Sequence, residues 1–115
     1  MDKIIIRDLT VTAIIGTLPH ERHNAQTIIF NIELGLDLAA AGHSDALDDT
    51  VNYQEIEQRI KKMAETGHFF LLEKMAETAA EICLSYAMIE QVKVTLDKPA
   101  ALADSNSVAI VIERS

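Results

Sequence analysis

Tryptophan is absent from this chain, cysteine occurs once, and basic residues are scarce, with ten Lys and Arg against eighteen Asp and Glu. The lone Cys83 excludes an internal disulfide framework, and its place among the apolar positions of a helical stretch marks it as a small buried hydrophobe rather than a nucleophile. No apolar run approaches the length of about 18 residues that a spanning helix needs, and nothing resembles a secretory segment. The expectation is a cytoplasmic protein without a membrane partner. The net charge of −8 also argues against nucleic acid, whose backbone attracts clustered Lys and Arg. The four glycines are scattered, which excludes a Gly-rich phosphate cradle. His20 and His23 bracket Glu21-Arg22 without a third ligand at zinc spacing, so no metal is expected. A length of 115 residues sets the expectation of one domain spanning residues 1–115.

What is present is strong patterning. Leu9, Val11, Ala13 and Ile15 alternate with Asp8, Thr10, Thr12 and Ile14, and Ile28, Phe30, Ile32, Leu34, Leu36 and Leu38 alternate with Ile29, Asn31, Glu33, Gly35 and Asp37. Period two predicts two strands, Ile4 to Ile15 and Ile28 to Leu38, joined as a hairpin. Their connection, Gly16 to Gln26, is too long for a tight turn, and long ordered loops commonly carry function. After a linker over Ala39 to Asp49, Asn52 with Glu55 reads as a helix N-cap and its capping partner. Tyr53, Ile56, Ile60 and Met63 share one face of that helix, and Gly67 closes it. Leu72, Met75, Ala76, Ala79, Ile82, Cys83 and Tyr86 form the apolar stripe of a second helix. Strands follow over Val92 to Lys98 and Val108 to Arg114.

The order β-β-α-α-β-β predicts an α+β fold, a four-stranded antiparallel sheet with two helices on one face. Two helices cover only that face, yet Ile14, Ile29, Ala109 and Val111 lie on the opposite row. The sheet also has two open edges, which proteins pair or cover. Edge pairing between identical subunits closes a barrel with the helices outside, so a homo-oligomer is expected.

Four polar residues sit at junctions of this plan. Lys98 occupies the inward row of its strand, after Val92, Val94 and Leu96, and an ammonium there is costly without a partner or a task. A lysine so withdrawn from water suits general acid–base chemistry, against the alternative of a strand-end lysine that snorkels to solvent. Glu73 falls in the first turn of a helix, where the dipole favours a carboxylate. The run Phe69-Phe70-Leu71-Leu72 before it supplies apolar surface for a flat heterocycle, with the carboxylate accepting two adjacent donors. Tyr53 opens the other helix, and Glu21 lies in the long loop.

Three segments, Asp49-Thr50-Val51-Asn52-Tyr53, Phe69-Phe70-Leu71-Leu72-Glu73-Lys74 and Leu96-Asp97-Lys98-Pro99, resemble in order and spacing the motifs of dihydroneopterin aldolases. Ile15-Gly16-Thr17-Leu18 with Glu21-Arg22, and the closing Val111-Ile112-Glu113-Arg114, extend the resemblance over nearly the whole chain. It implies the tunnelling fold, or T-fold, in which tetrameric rings stack in pairs as an octamer with active sites between subunits. It further implies retro-aldol cleavage of a pterin substrate, with Lys98, Tyr53 and Glu21 catalytic, Glu73 anchoring the pterin, and the main chain at Leu72 and Val51 binding the ring. No cofactor is implied, because the pterin's own C=N bond is the electron sink. Two alternatives stand beside it: a dihydroneopterin triphosphate 2'-epimerase, which needs cations for the triphosphate, and a non-catalytic pterin- or purine-binding ring protein, which needs Glu73 but neither Lys98 nor Tyr53.

Overall fold

The computed structural model describes all residues from Met1 to Ser115. Strands β1 (Asp2–Ile14), β2 (Ala25–Leu36), β3 (Gln91–Lys98) and β4 (Val108–Arg114) form one antiparallel sheet in the order β1-β2-β3-β4. Helices α1 (Ala39–Ser44), α2 (Tyr53–Thr66) and α3 (Leu72–Leu84) lie between the two hairpins. The expected architecture is therefore present, with a short helix and a 3₁₀ turn, Leu47–Asp49, inside the stretch read as a linker. Strand β2 ends two residues earlier than its alternation implies, because Leu38 becomes the N-cap of α1.

The core lies between the sheet and the pair α2 and α3. Ile28, Phe30, Ile32 and Leu34 of β2, Val94 and Leu96 of β3, Ile56 and Ile60 of α2, and Met75, Ala76, Ala79 and Cys83 of α3 are fully buried there. The alanines of α3 let that helix approach the sheet closely. Cys83 is buried and its thiol is pushed up to about 12 by desolvation, in keeping with a packing role.

One feature of β1 is absent from the period-two reading. Ile6 pairs with Ile32 but Leu9 pairs with Phe30, so an extra residue is accommodated between them. Asp8 takes a left-handed conformation, φ 52, at this bulge. Its main-chain N–H donates to Asn31 Oδ1 at 3.0 Å, and its carbonyl accepts from Thr10 Oγ1 at 3.1 Å. The bulge switches parity, so Ile4 and Ile6 before it and Leu9 and Val11 after it all face the helices. The unbroken run Ile4-Ile5-Ile6 conceals that switch in the sequence.

Both helix boundaries carry a correction. Asn52 Oδ1 caps α2, accepting from the N–H groups of Gln54 at 3.1 Å and Glu55 at 3.3 Å. Glu55 does not return the bond as a capping box requires; its carboxylate accepts from the Tyr86 hydroxyl and so links α2 to the end of α3. Gly67 closes α2 in an extended conformation, φ −80, rather than a left-handed turn. Glycine is needed for space, since a Cβ would stand 2.3 Å from the Phe69 ring and 2.8 Å from the Met63 carbonyl.

Candidate active site

At 8% exposure Lys98 is the one buried charged residue of the chain. It ends the inward row of β3, and its Nζ donates to Glu21 Oε2 at 2.7 Å. The polar partner that a withdrawn ammonium demands is thus delivered by the long β1–β2 loop, 77 residues away in sequence. Proton donation from Lys98 holds the Glu21 carboxyl below its ordinary range, opposed by desolvation and aided by the Leu18 N–H.

The loop is shaped to place that carboxylate. Gly16 sits at φ +131, and Glu21 folds back over it so closely that a Cβ on Gly16 would meet the carboxyl carbon at 2.3 Å. A 3₁₀ turn, Pro19–Arg22, reverses the chain, and the Leu18 N–H donates to Glu21 Oε1 at 3.3 Å. Gln26 Nε2 donates to the Ile15 carbonyl at 2.8 Å and to Glu21 Oε2 at 3.4 Å. Arg22 turns the other way: its Nη1 donates to the carbonyls of Gly16 at 3.4 Å and Phe69 at 3.5 Å, and its guanidinium lies 3.8 Å from the centre of the Phe70 ring.

These contacts stitch the loop to the segment that leads into α3. Ile15 bridges Phe69, and the Gly16 N–H donates to the Phe69 carbonyl at 3.3 Å. Leu72 and Glu73, the first residues of α3, follow three residues later. Leu72 is buried, whereas Glu73 is exposed. No side chain caps this helix start, so its first N–H groups remain available to a ligand.

Val51 and Tyr53 occupy a different place. Val51 is buried at the foot of α2, but Tyr53 is 61% exposed, in contrast to the packed face it was expected to share with Ile56 and Ile60. As the first residue of the helix it overhangs the sheet and lines a hollow with Ile5, Ile6 and Arg7. Ile5 pairs with Glu33, whereas Asp97 beside Lys98 pairs with Ile29. Those β2 positions are four residues apart, roughly 13 Å along the strand at about 3.3 Å per residue. Lys98 and Glu21 are thus in direct contact, and their loop is bonded to Phe69 just ahead of Leu72 and Glu73, whereas Tyr53 with Val51 stands elsewhere on the sheet.

Sequence reasoning singled out neither Gln26 nor Arg22 as a positioning group. The signal available was their adjacency to Glu21 within a long loop. His20 and His23 are exposed on that loop, and nowhere do three His, Cys, Asp or Glu side chains gather as a set that could hold a metal ion.

A family model described as dihydroneopterin aldolase matches residues 4–113. Among curated proteins, a folic acid synthesis protein of Dictyostelium discoideum is 40% identical over the full chain, which spans 18% of that longer protein. The dihydroneopterin aldolase of Haemophilus influenzae is 32% identical, the alignment covering 99% of this chain and 97% of that one. Among solved structures, the Escherichia coli dihydroneopterin aldolase in complex with neopterin superimposes with a TM-score of 0.95 at 33% identity, covering both chains completely.

Proposed function

Because this chain belongs to the dihydroneopterin aldolase family, we propose that it cleaves 7,8-dihydroneopterin into 6-hydroxymethyl-7,8-dihydropterin and glycolaldehyde, a step of folate biosynthesis, by acid–base chemistry alone. The observation that carries the reading is the buried Lys98 ammonium bonded to Glu21 at 2.7 Å.

The substrate brings its own electron sink. Removing the 2'-hydroxyl proton lets the C1'–C2' bond break, and its electron pair flows into the neighbouring ring C=N bond to form an enamine as glycolaldehyde leaves. Returning one proton to C1' restores the C=N bond and gives the hydroxymethyl product, so protons and electrons balance. The protein has to hold the ring and move that proton. Glu73 accepts the ring N–H and the 2-amino group in a bidentate grip, and the free N–H groups at Leu72 and the main chain at Val51 add further bonds. Lys98 takes the hydroxyl proton through a water, Glu21 orients the substrate hydroxyls, and Tyr53 assists protonation at C1'. The same enamine can re-add the aldehyde on its other face, which gives a 2'-epimerase side reaction.

Within one protomer Tyr53 and Lys98 lie apart, which supports a site completed between subunits of a ring, with rings stacked in pairs as an octamer. No helix is long and apolar enough to cross a membrane, and the proposed location is the cytoplasm. The test is glycolaldehyde release from 7,8-dihydroneopterin by the purified protein. Lys98→Ala is expected to lower kcat by about 10²-fold or more with little change in pterin affinity, whereas Glu73→Ala chiefly abolishes binding. The reverse pattern would overturn the assignment of roles.

A further inference from the structure

Tyr53 projects, largely exposed, from the first turn of α2, so the reach of its hydroxyl is set by how that turn is held. The Asn52 cap holds the turn from below. A second hold comes from the far end of α3. Glu55 and Arg59 stand one turn apart on the same face of α2. The Glu55 carboxylate accepts from the Tyr86 hydroxyl, while Arg59 Nη1 donates to Ser85 Oγ at 3.2 Å and its guanidinium lies 5.3 Å from the centre of the Tyr86 ring. Two ties a turn apart fix both the rotation of α2 and its position along its own axis. A single tie would leave the helix free to pivot.

The turn that receives these ties is itself well fixed. Helix α3 ends at Leu84, so Tyr86 stands beyond the helix rather than within its apolar stripe. Ser85 Oγ donates to the Ile82 carbonyl at 2.6 Å, the Ser85 N–H to the Glu81 carbonyl at 3.0 Å, and the N–H of the buried Ile89 to the Tyr86 carbonyl at 3.0 Å. Desolvation and the bond to Glu55 raise the Tyr86 hydroxyl above its ordinary range, which keeps it a donor. Glu55, Arg59 and Ser85 are exposed, and exposed polar contacts contribute little to folding. Their loss therefore touches the placement of Tyr53 more than the stability of the fold.

We infer that Tyr86 through Glu55, and Arg59 through Ser85, are positioning residues for Tyr53 and set how the enamine divides between cleavage and 2'-epimerisation, an inference that rests on the aldolase reading above. Both outcomes leave from the same enamine. A proton delivered to C1' restores the ring C=N bond and ends in the hydroxymethyl product, with glycolaldehyde released. Re-forming the C1'–C2' bond on the other face of the aldehyde, with the proton returned to the 2'-oxygen, restores the same C=N bond and ends in the epimer. A well-placed Tyr53 hydroxyl favours the first. Displacing it slows protonation at C1' and lets rebonding compete. Val51 is held by its own burial, so the ring contacts made there are spared.

The experiment incubates the full chain with 7,8-dihydroneopterin and measures the hydroxymethyl product and the 2'-epimer side by side. Tyr86→Phe keeps the ring under Arg59 and removes only the hydroxyl. It is expected to lower kcat for cleavage about tenfold and to raise the ratio of epimer to cleavage product about fivefold, with KM and Tm little changed. Glu55→Gln retains an acceptor for the Tyr86 hydroxyl and should keep the unaltered ratio, whereas Glu55→Leu should behave like Tyr86→Phe. Because the effect passes through Tyr53, adding Tyr86→Phe to Tyr53→Phe should change neither rate nor ratio further. An unchanged ratio in Tyr86→Phe, or a further loss on top of Tyr53→Phe, overturns the positioning role while the aldolase reading stands. No glycolaldehyde release by the unaltered chain overturns that reading and the inference with it.

Discussion

At the scale of single residues, Lys98 and Glu21 show how a polar side chain's environment makes it chemically useful. Lys98 stands out in the sequence because it continues an inward row after Val92, Val94 and Leu96, where an ammonium needs compensation. Glu21 carries no such mark. Its significance comes from a fold-back over Gly16 that aims a loop carboxylate at a strand end 77 residues away. The pair also predicts a pH signature. The folded-state pKa of Glu21 is depressed chiefly by the Lys98 bond, so the stabilisation is fully present above the unfolded value of about 4.3 and is lost as pH falls through the folded value. Urea melts of the unaltered chain and of Glu21→Gln should accordingly differ near neutral pH and converge in strong acid. Curves that stay parallel down to low pH would show that the ion pair contributes nothing to folding.

At the scale of elements, the strands and helices were legible because their apolar periods are clean, and the exceptions have local causes. The bulge at Asp8 was hidden by three consecutive isoleucines, any of which could face either side. The capping box at α2 was half right. Asn52 caps through its side chain, whereas the carboxylate of Glu55 is taken by the Tyr86 hydroxyl, a competition between a local and a tertiary partner that spacing cannot reveal. Asn52→Ala removes an acceptor shared by two N–H groups and should cost about 1 kcal/mol, lowering Tm by several degrees in a thermal melt. Since Asn52 lies between Val51 and Tyr53, fraying of this turn also loosens both proposed site residues.

At the scale of the whole molecule, the sheet is an open fragment with one face covered, two unpaired edges and a tyrosine far from the lysine it is proposed to work with. A site divided between subunits predicts complementation. Tyr53→Ala and Lys98→Ala chains, each inactive alone, should recover activity when mixed and allowed to exchange subunits, because some junctions then combine an intact Lys98 with an intact Tyr53. Random one-to-one exchange should restore about a quarter of the sites, measured as glycolaldehyde release against the unaltered protein. Failure to recover any activity in verified mixed rings would place both residues in the same protomer's site.

By itself the sequence determined most of the residues that face the core, Tyr53 and the run Ile4-Ile5-Ile6 excepted, since a period of two or 3.6 is a property of neighbouring positions and of side-chain polarity. It also marked Lys98 and the start of α3 as places where polarity and position conflict. The tertiary structure decided what those residues meet: the Glu21 partner, the Arg22 and Gln26 bonds that hold the loop, the parity switch at Asp8, and the separation of Tyr53 from Lys98. Those outcomes depend on chain segments distant in sequence converging in space, and the energy of such a contact belongs to the pair and its surroundings rather than to either residue's local pattern.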